Sequence, residues 1–198
     1  MRTSTVAFAI ALTLGTTGAL ADQTSKSTAD SGASHMAMAK EKMQPPTSAS
    51  FVEKAAIGGM TEVELSKLAL QKSKNEDVRS FANHMVADHT QANDDLKSIA
   101  TSKNLQVPAD LDAKHKAAVS DLSKKSGAEF DRAYARQMAK DHDKTVALFD
   151  AASSASAVDP ELQAFARKTL PTLKHHDQLA MQLNSSIDKG TASTTGER

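Results

Sequence analysis

The chain has 198 residues, with 24 Lys and Arg against 24 Asp and Glu, seven His and no Cys. Such a balance leaves no electrostatic footprint for nucleic acid or an anionic membrane surface. The lack of Cys excludes disulfides and thiolate metal sites, so stability has to come from packing.

The N-terminus reads as an export signal. Arg2 supplies the positive charge, Val6 to Gly15 an apolar run, and Ala19-Leu20-Ala21 an A-x-A cleavage site. The apolar run is about ten residues, whereas roughly 20 are needed to span a bilayer. Residues 1–21 are therefore expected to be a signal peptide, with retention as an N-terminal anchor the alternative. Removing them takes away one charge, Arg2, and leaves acidic residues in excess by one. A soluble periplasmic or secreted protein is expected, with no nucleic-acid partner and no stable membrane insertion after cleavage. No protein partner is indicated.

Residues 22–47 are rich in Ser, Thr, Lys and Ala, with Met the only large apolar type, and read as a flexible linker. His35, Met36, Met38 and Met43 lie there, a loose set that reads first as incidental and second as a soft-ion lure. A helical domain is expected over residues 48–187 and a disordered tail over 188–198.

Within the domain the apolar period is helical throughout. Ser50 with Glu53 reads as a capping box that opens a first helix. Phe51, Ala55, Gly58, Leu65 and Ala69 share one face of it. Gly58-Gly59 suits a close approach by a neighbouring helix. Asn75 caps a second helix, lined by Val78, Phe81, Met85, Ala92, Leu96 and Ile99. From Leu105 to Lys125 the pattern predicts a long connection holding a short amphipathic helix. Ser126 with Glu129 opens a third long helix carrying Phe130, Tyr134, Met138, Leu148 and Phe149. Asp159-Pro160 opens a fourth, in which Pro171 should introduce a kink. No segment alternates with period two. The expected fold is all-α: a ferritin-like four-helix bundle with a short extra helix in the middle crossover.

Projected onto these stripes, four ionisable residues fall inward, one per long helix: Glu62, His89, His142 and His176. Each lies about halfway along its helix, and the rise per residue is common to all, so they should share one level of the bundle. Imidazoles with a carboxylate suit Zn, Cu, Ni or Fe, which makes these four a candidate metal set. Asp88 and Asp141 precede two of the histidines and could support the site only by reaching another helix. The rival reading is a core of neutral histidines hydrogen-bonded to Glu62. Glu64, His84, His115 and His175 fall off the stripes and should face solvent. Arg79 to His89 also echoes Arg132 to His142, with Arg, Ala, Met, Asp and His coinciding.

Phe51, Glu62-Val63-Glu64-Leu65, Ala82, Asp88-His89, Phe130-Asp131, Tyr134, His142 and Thr169-Leu170-Pro171-Thr172-Leu173 through His176 carry a resemblance. Over roughly Ser50 to Leu183 the chain resembles the bacterial domain-of-unknown-function family 4142. That likeness implies an exported protein with a ferritin-like bundle and brings no established activity. Di-iron proteins of ferritin-like fold use Glu-x-x-His on two helices. Here Val86, Ala139 and Leu173 stand three residues before the inward histidines, which speaks against that chemistry. The reading carried forward is an exported helical bundle of unestablished activity with a candidate transition-metal site. Its rivals are a metal-free structural or interaction protein of the envelope and, behind that, a metalloenzyme. No nucleophilic triad or phosphate loop is present.

Overall fold

A computed structural model of the protein describes residues 45–194, with side chains to residue 189. The expected signal peptide, and the linker as far as residue 44, lie outside the described residues. So do residues 195–198. Five helices make up the described part: α1 Ser48–Lys72, α2 Glu76–Ser102, α3 Ala113–Ser123, α4 Gly127–Ala152 and α5 Pro160–Thr194. No strand occurs among the described residues.

Local chemistry sets most of the boundaries. Asn75 Oδ1 accepts from the Asp77 and Val78 amides at 2.9 and 3.2 Å, capping α2 as expected. Asp159 Oδ1 accepts from the Glu161 amide at 2.8 Å, with Pro160 the first residue of α5. Asp112 caps α3 by accepting from the His115 amide at 2.8 Å.

Two expected caps are corrected. α1 starts earlier, with Thr47 as N-cap: the Ser50 amide donates to Thr47 Oγ1 at 3.3 Å and the Thr47 amide to Ser50 Oγ at 3.0 Å. Tertiary contact fixes that extra turn, because the Ser48 amide donates to the Ala157 carbonyl and Ser48 Oγ accepts from the Asp159 amide. At α4, Ser126 is the N-cap residue but its hydroxyl makes no capping bond. Gly127 adopts a left-handed φ of +54°, and Glu129 pairs with Lys125 rather than folding back on the cap.

α5 continues as helix through Pro171. It also continues as helix past Asp188 to Thr194, where a disordered tail was expected. Ile187 still packs on the core, so the helical register has apolar support beyond Leu183.

The connections from α1 to α2 and from α4 to α5 are short, which makes each pair antiparallel neighbours. α1 also packs on α4, and α2 on α5, so the four long helices form a ring in the order α1, α2, α5, α4. α2 and α4 run in the same direction, and the link between them must cross the bundle. α3 lies in that crossover, packed on α1 and α4 and anchored by the buried Leu122. Lys72 at the end of α1 donates to the Ser123 carbonyl and closes this corner.

Of the paired glycines, one meets the expectation of close approach. A Cβ on Gly59 would lie 2.1 Å from Asn93 Oδ1 of α2, whereas one on Gly58 would meet nothing within 4 Å. The helices therefore touch at Gly59 and not at Gly58.

The core is divided. One apolar cluster gathers Phe51, Val52, Ala55 and Ala56 of α1, Leu96 and Ala100 of α2, Phe149 and Ala152 of α4, and Leu162 to Leu173 of α5. Three of its rings meet directly, with Phe51 centroids 5.1 Å from Phe149 and 6.5 Å from Phe165. The other cluster gathers Leu65 and Ala69, Val78 to Met85, Phe130 to Met138, and Ala180 with Leu183. Burying each large side chain contributes about 1.5–3 kcal/mol. In every long helix the residues between the two clusters include the inward ionisable one: Glu62, His89, His142 or His176.

Candidate metal centre

The four residues expected to share one level do so. Glu62 is 1 % exposed, His89 4 %, His142 0 % and His176 2 %. The ring centroids of the histidines are 5.5 Å apart for His89 and His142, 5.4 Å for His89 and His176, and 5.7 Å for His142 and His176. One ligand nitrogen from each ring lies within 4.8 Å of those of the other two. Among the described residues this is the group of three or more potential ligands that could hold an ion.

Two of the imidazoles use one nitrogen on an oxygen, and all three keep a nitrogen without a partner. His142 Nδ1 is 3.0 Å from the Met138 carbonyl of its own helix. His176 Nε2 is 2.8 Å from Asp88 Oδ2, a bond from α5 to α2. His89 Nδ1 is 3.0 Å from Glu62 Oε2, close enough for an ion pair but off the line of a directional hydrogen bond. Glu62 Oε1 is 3.6 Å from His142 Nδ1. The remaining nitrogens, His89 Nε2, His142 Nε2 and His176 Nδ1, are buried and unpartnered. An oxygen acceptor on one nitrogen selects the tautomer that carries its proton there, which leaves a lone pair on the other.

Glu62 thus stands beside two of the rings, against Nδ1 of His89 and of His142. Asp88 makes the interhelical contact required of a supporting residue. Asp141 does not reach a histidine: it accepts from Gln137 of its own helix at 2.6 Å and lies 3.7 Å from Lys144. Its influence is electrostatic, on Glu62 and on His142.

The electrostatics follow from burial. Desolvation, with the Asp141 charge adding to it, pushes Glu62 up to about 8 from its ordinary 4.5. Desolvation first, then the neighbouring rings of His142 and His176, holds His89 well below the usual imidazole range. Desolvation lowers His142 to about 4, against the opposing bond to Met138. His176 is lowered by burial, which outweighs the Asp88 hydrogen bond, and His175 and His84 lower it further. At neutral pH all three rings are unprotonated, the state in which imidazole binds metal.

The residues expected to face solvent mostly do. Glu64, His84 and His175 are exposed, and Glu64 pairs with Lys67 at 2.9 Å. His115 differs: it is half-buried, with Nδ1 2.7 Å from Asp112. Two supports were invisible in the sequence. The Met138 carbonyl is a main-chain group, and the Tyr134 hydroxyl is held by Ser66 at 2.8 Å, one turn beyond Glu62. The Glu62 to Ser66 spacing of four was the available signal for the second.

Comparison with solved structures shows the same fold in two other bacterial proteins. A DUF305 fragment from Deinococcus radiodurans superposes with a TM-score of 0.61 at 18 % identity, covering 73 % of this chain and 97 % of that one. A DUF305 protein from Streptomyces coelicolor, described as a candidate secreted protein, superposes with a TM-score of 0.60 at 14 % identity, covering 70 % and 90 %. No curated protein matches the sequence. Residues 32–183 match the family described as "Domain of unknown function (DUF4142)", and the chain belongs to that family.

Proposed function

We propose that this protein is an exported helical bundle that holds one transition-metal ion, Zn, Cu, Ni or Fe, through His89, His142 and His176. Glu62 and Asp88 act from behind the rings, on their outer nitrogens. The observation that carries this reading is the shared pattern of the three imidazoles. Each keeps one nitrogen buried without a partner, while the other is hydrogen-bonded to an oxygen in His142 and His176 and lies 3.0 Å from Glu62 Oε2 in His89. Metal-ligating histidines are oriented in this way.

A self-sufficient polar core would not leave three lone pairs unanswered at one level. Each unsatisfied buried acceptor costs about 1–3 kcal/mol, and a single cation would satisfy all three. The donor set of neutral imidazoles suits a borderline metal and excludes the all-oxygen preference of Ca or Mg. The Asp88 carboxylate, bonded to His176 Nε2 behind that ring, raises its basicity as a ligand.

Export rests on the N-terminal sequence. The Streptomyces coelicolor protein of like fold, described as a candidate secreted protein, agrees with it. The test is elemental analysis of untagged protein purified from the exported fraction. One equivalent of a single transition metal is expected, lost on chelation and restored on titration. Absence of any stoichiometric metal, before and after titration, would establish the metal-free polar core instead.

A further inference from the structure

The three histidines are closed off along the bundle axis by apolar clusters on both sides. Sideways, the oxygens behind two of them are also buried: Glu62 is 1 % exposed and Met138 0 %. The third is different. Asp88, which accepts from His176 Nε2, has a side chain 49 % exposed, while the His176 side chain is 3 % exposed. One hydrogen bond therefore joins the sealed cluster to solvent, and it spans the seam between α2 and α5.

Two exposed histidines belong to that seam. His84 stands one turn before Asp88 on α2, and His175 adjoins His176 on α5. Both are near enough to His176 for their charge to act on it. A groove of about 310 Å³ runs along the same seam, lined by His84, Leu179 and Leu183 and reaching Phe81. The Phe81 ring lies 6.3 Å from that of His142, so the groove ends against the wall of the site. Beneath all of this, His176 Nδ1 is buried and unpartnered.

We propose that the ion enters and leaves through the α2/α5 seam, with His84, Asp88 and His175 as its mouth and the Asp88–His176 bond as the last contact to open. This rests on the metal-binding reading above and adds its route. The mouth offers two imidazoles and a carboxylate, which can take water-borne ions one ligand at a time and pass them to His176. Because His84 and His175 belong to neither end state, they change the speed of exchange and not the affinity.

The chain has one Tyr and no Trp, and Tyr134 lies in the layer next to the site, so quenching of its emission reports loading by Co(II) without a label. Stopped-flow loading, and release into excess chelator, are measured for wild type, His84→Ala/His175→Ala and His115→Ala. His84 and His175 are exposed, so their removal should leave the fold intact. In the double variant, loading and release should both slow about tenfold, the lower end of what local ion concentration at a cleft supplies. Its Kd should stay at the wild-type value, and His115→Ala, on α3, which packs on α1 and α4 rather than on the seam, should behave as wild type. Wild-type exchange rates in the double variant would overturn the route. Slower loading without slower release would also overturn it, since the two histidines would then be final ligands. Failure of the wild type itself to bind one equivalent of Co(II) would refute the metal site rather than its entrance.

Discussion

Glu62→Gln isolates the electrostatic cost of a carboxyl group buried among histidines. Glu62 is held protonated up to about pH 8, against 4.5 when the chain is unfolded. A raised folded value means that its stabilising contribution is complete below 4.5 and is lost as pH rises through 8. The histidines have the opposite sign. His142 falls to about 4, and His89 and His176 are also lowered, so their contribution is complete above 6.5 and is lost on acidification. Between 4.5 and 6.5 three rising contributions oppose one falling one, and metal-free protein gains stability with pH. Above 6.5 the Glu62 slope acts alone until 8. At about 1.4 kcal/mol per pH unit the loss over that window is about 2 kcal/mol. For a domain of this size that lowers Tm by about 4–8 °C. Differential scanning calorimetry in chelator should show a maximum near pH 6.5 and a decline toward pH 8 in wild type. Glu62→Gln cannot ionise and should show a plateau over the same window. A wild-type Tm that stays level between pH 6.5 and 8, or an equal decline in the variant, would refute the buried-carboxyl argument.

Replacing His89, His142 or His176 by Ala should each abolish stoichiometric binding in metal titrations followed by Tm, while single replacement of His84 or His175 leaves the stoichiometry unchanged. Gly59→Ala should be less stable than Gly58→Ala in urea unfolding, because the new methyl must push the Asn93 side chain of α2 aside. Gly58→Ala meets nothing and should stabilise by up to about 1 kcal/mol through helix propensity. An equal effect at both glycines would mean that the helix contact lies elsewhere. Asn75→Ala should cost about 1 kcal/mol, since two amides lose one acceptor.

The helices and their inward faces were legible because period and capping chemistry are local. Phe81, Met85 and His89 keep a four-residue step whatever α2 packs against, and Asp159-Pro160 signals a start without reference to the rest of the fold. Where neighbours decide, the sequence fell short. The Ser50–Glu53 pattern satisfies the capping-box rule, yet the contact of Ser48 with the α4–α5 connection moved the start back to Thr47. Gly58 and Gly59 are equivalent in sequence, and only the position of Asn93 separates them. The same limit applies at the centre. Spacing put Glu62, His89, His142 and His176 at one level, but ring rotation decides which nitrogen faces which atom. That rotation is set by a main-chain carbonyl on α4 and by a carboxylate on the facing helix for the other two rings.

A polar layer between two apolar clusters also fixes how far each helix may slide. Apolar side chains at three- and four-residue spacing look much alike from one turn to the next, so hydrocarbon packing alone tolerates a displacement of about 5.4 Å along the axis. Here such a displacement of α5 would carry His176 into the surroundings of Leu173 or Ala180 and strand Asp88. A shift of α1 would carry Glu62 to the level now held by Gly58 or by Leu65, away from His89 and His142. Burying an unpaired polar or ionisable group is costly, and that cost rises in every helix at once. The ionisable layer therefore serves as an alignment mark for the bundle, with or without an ion between its rings.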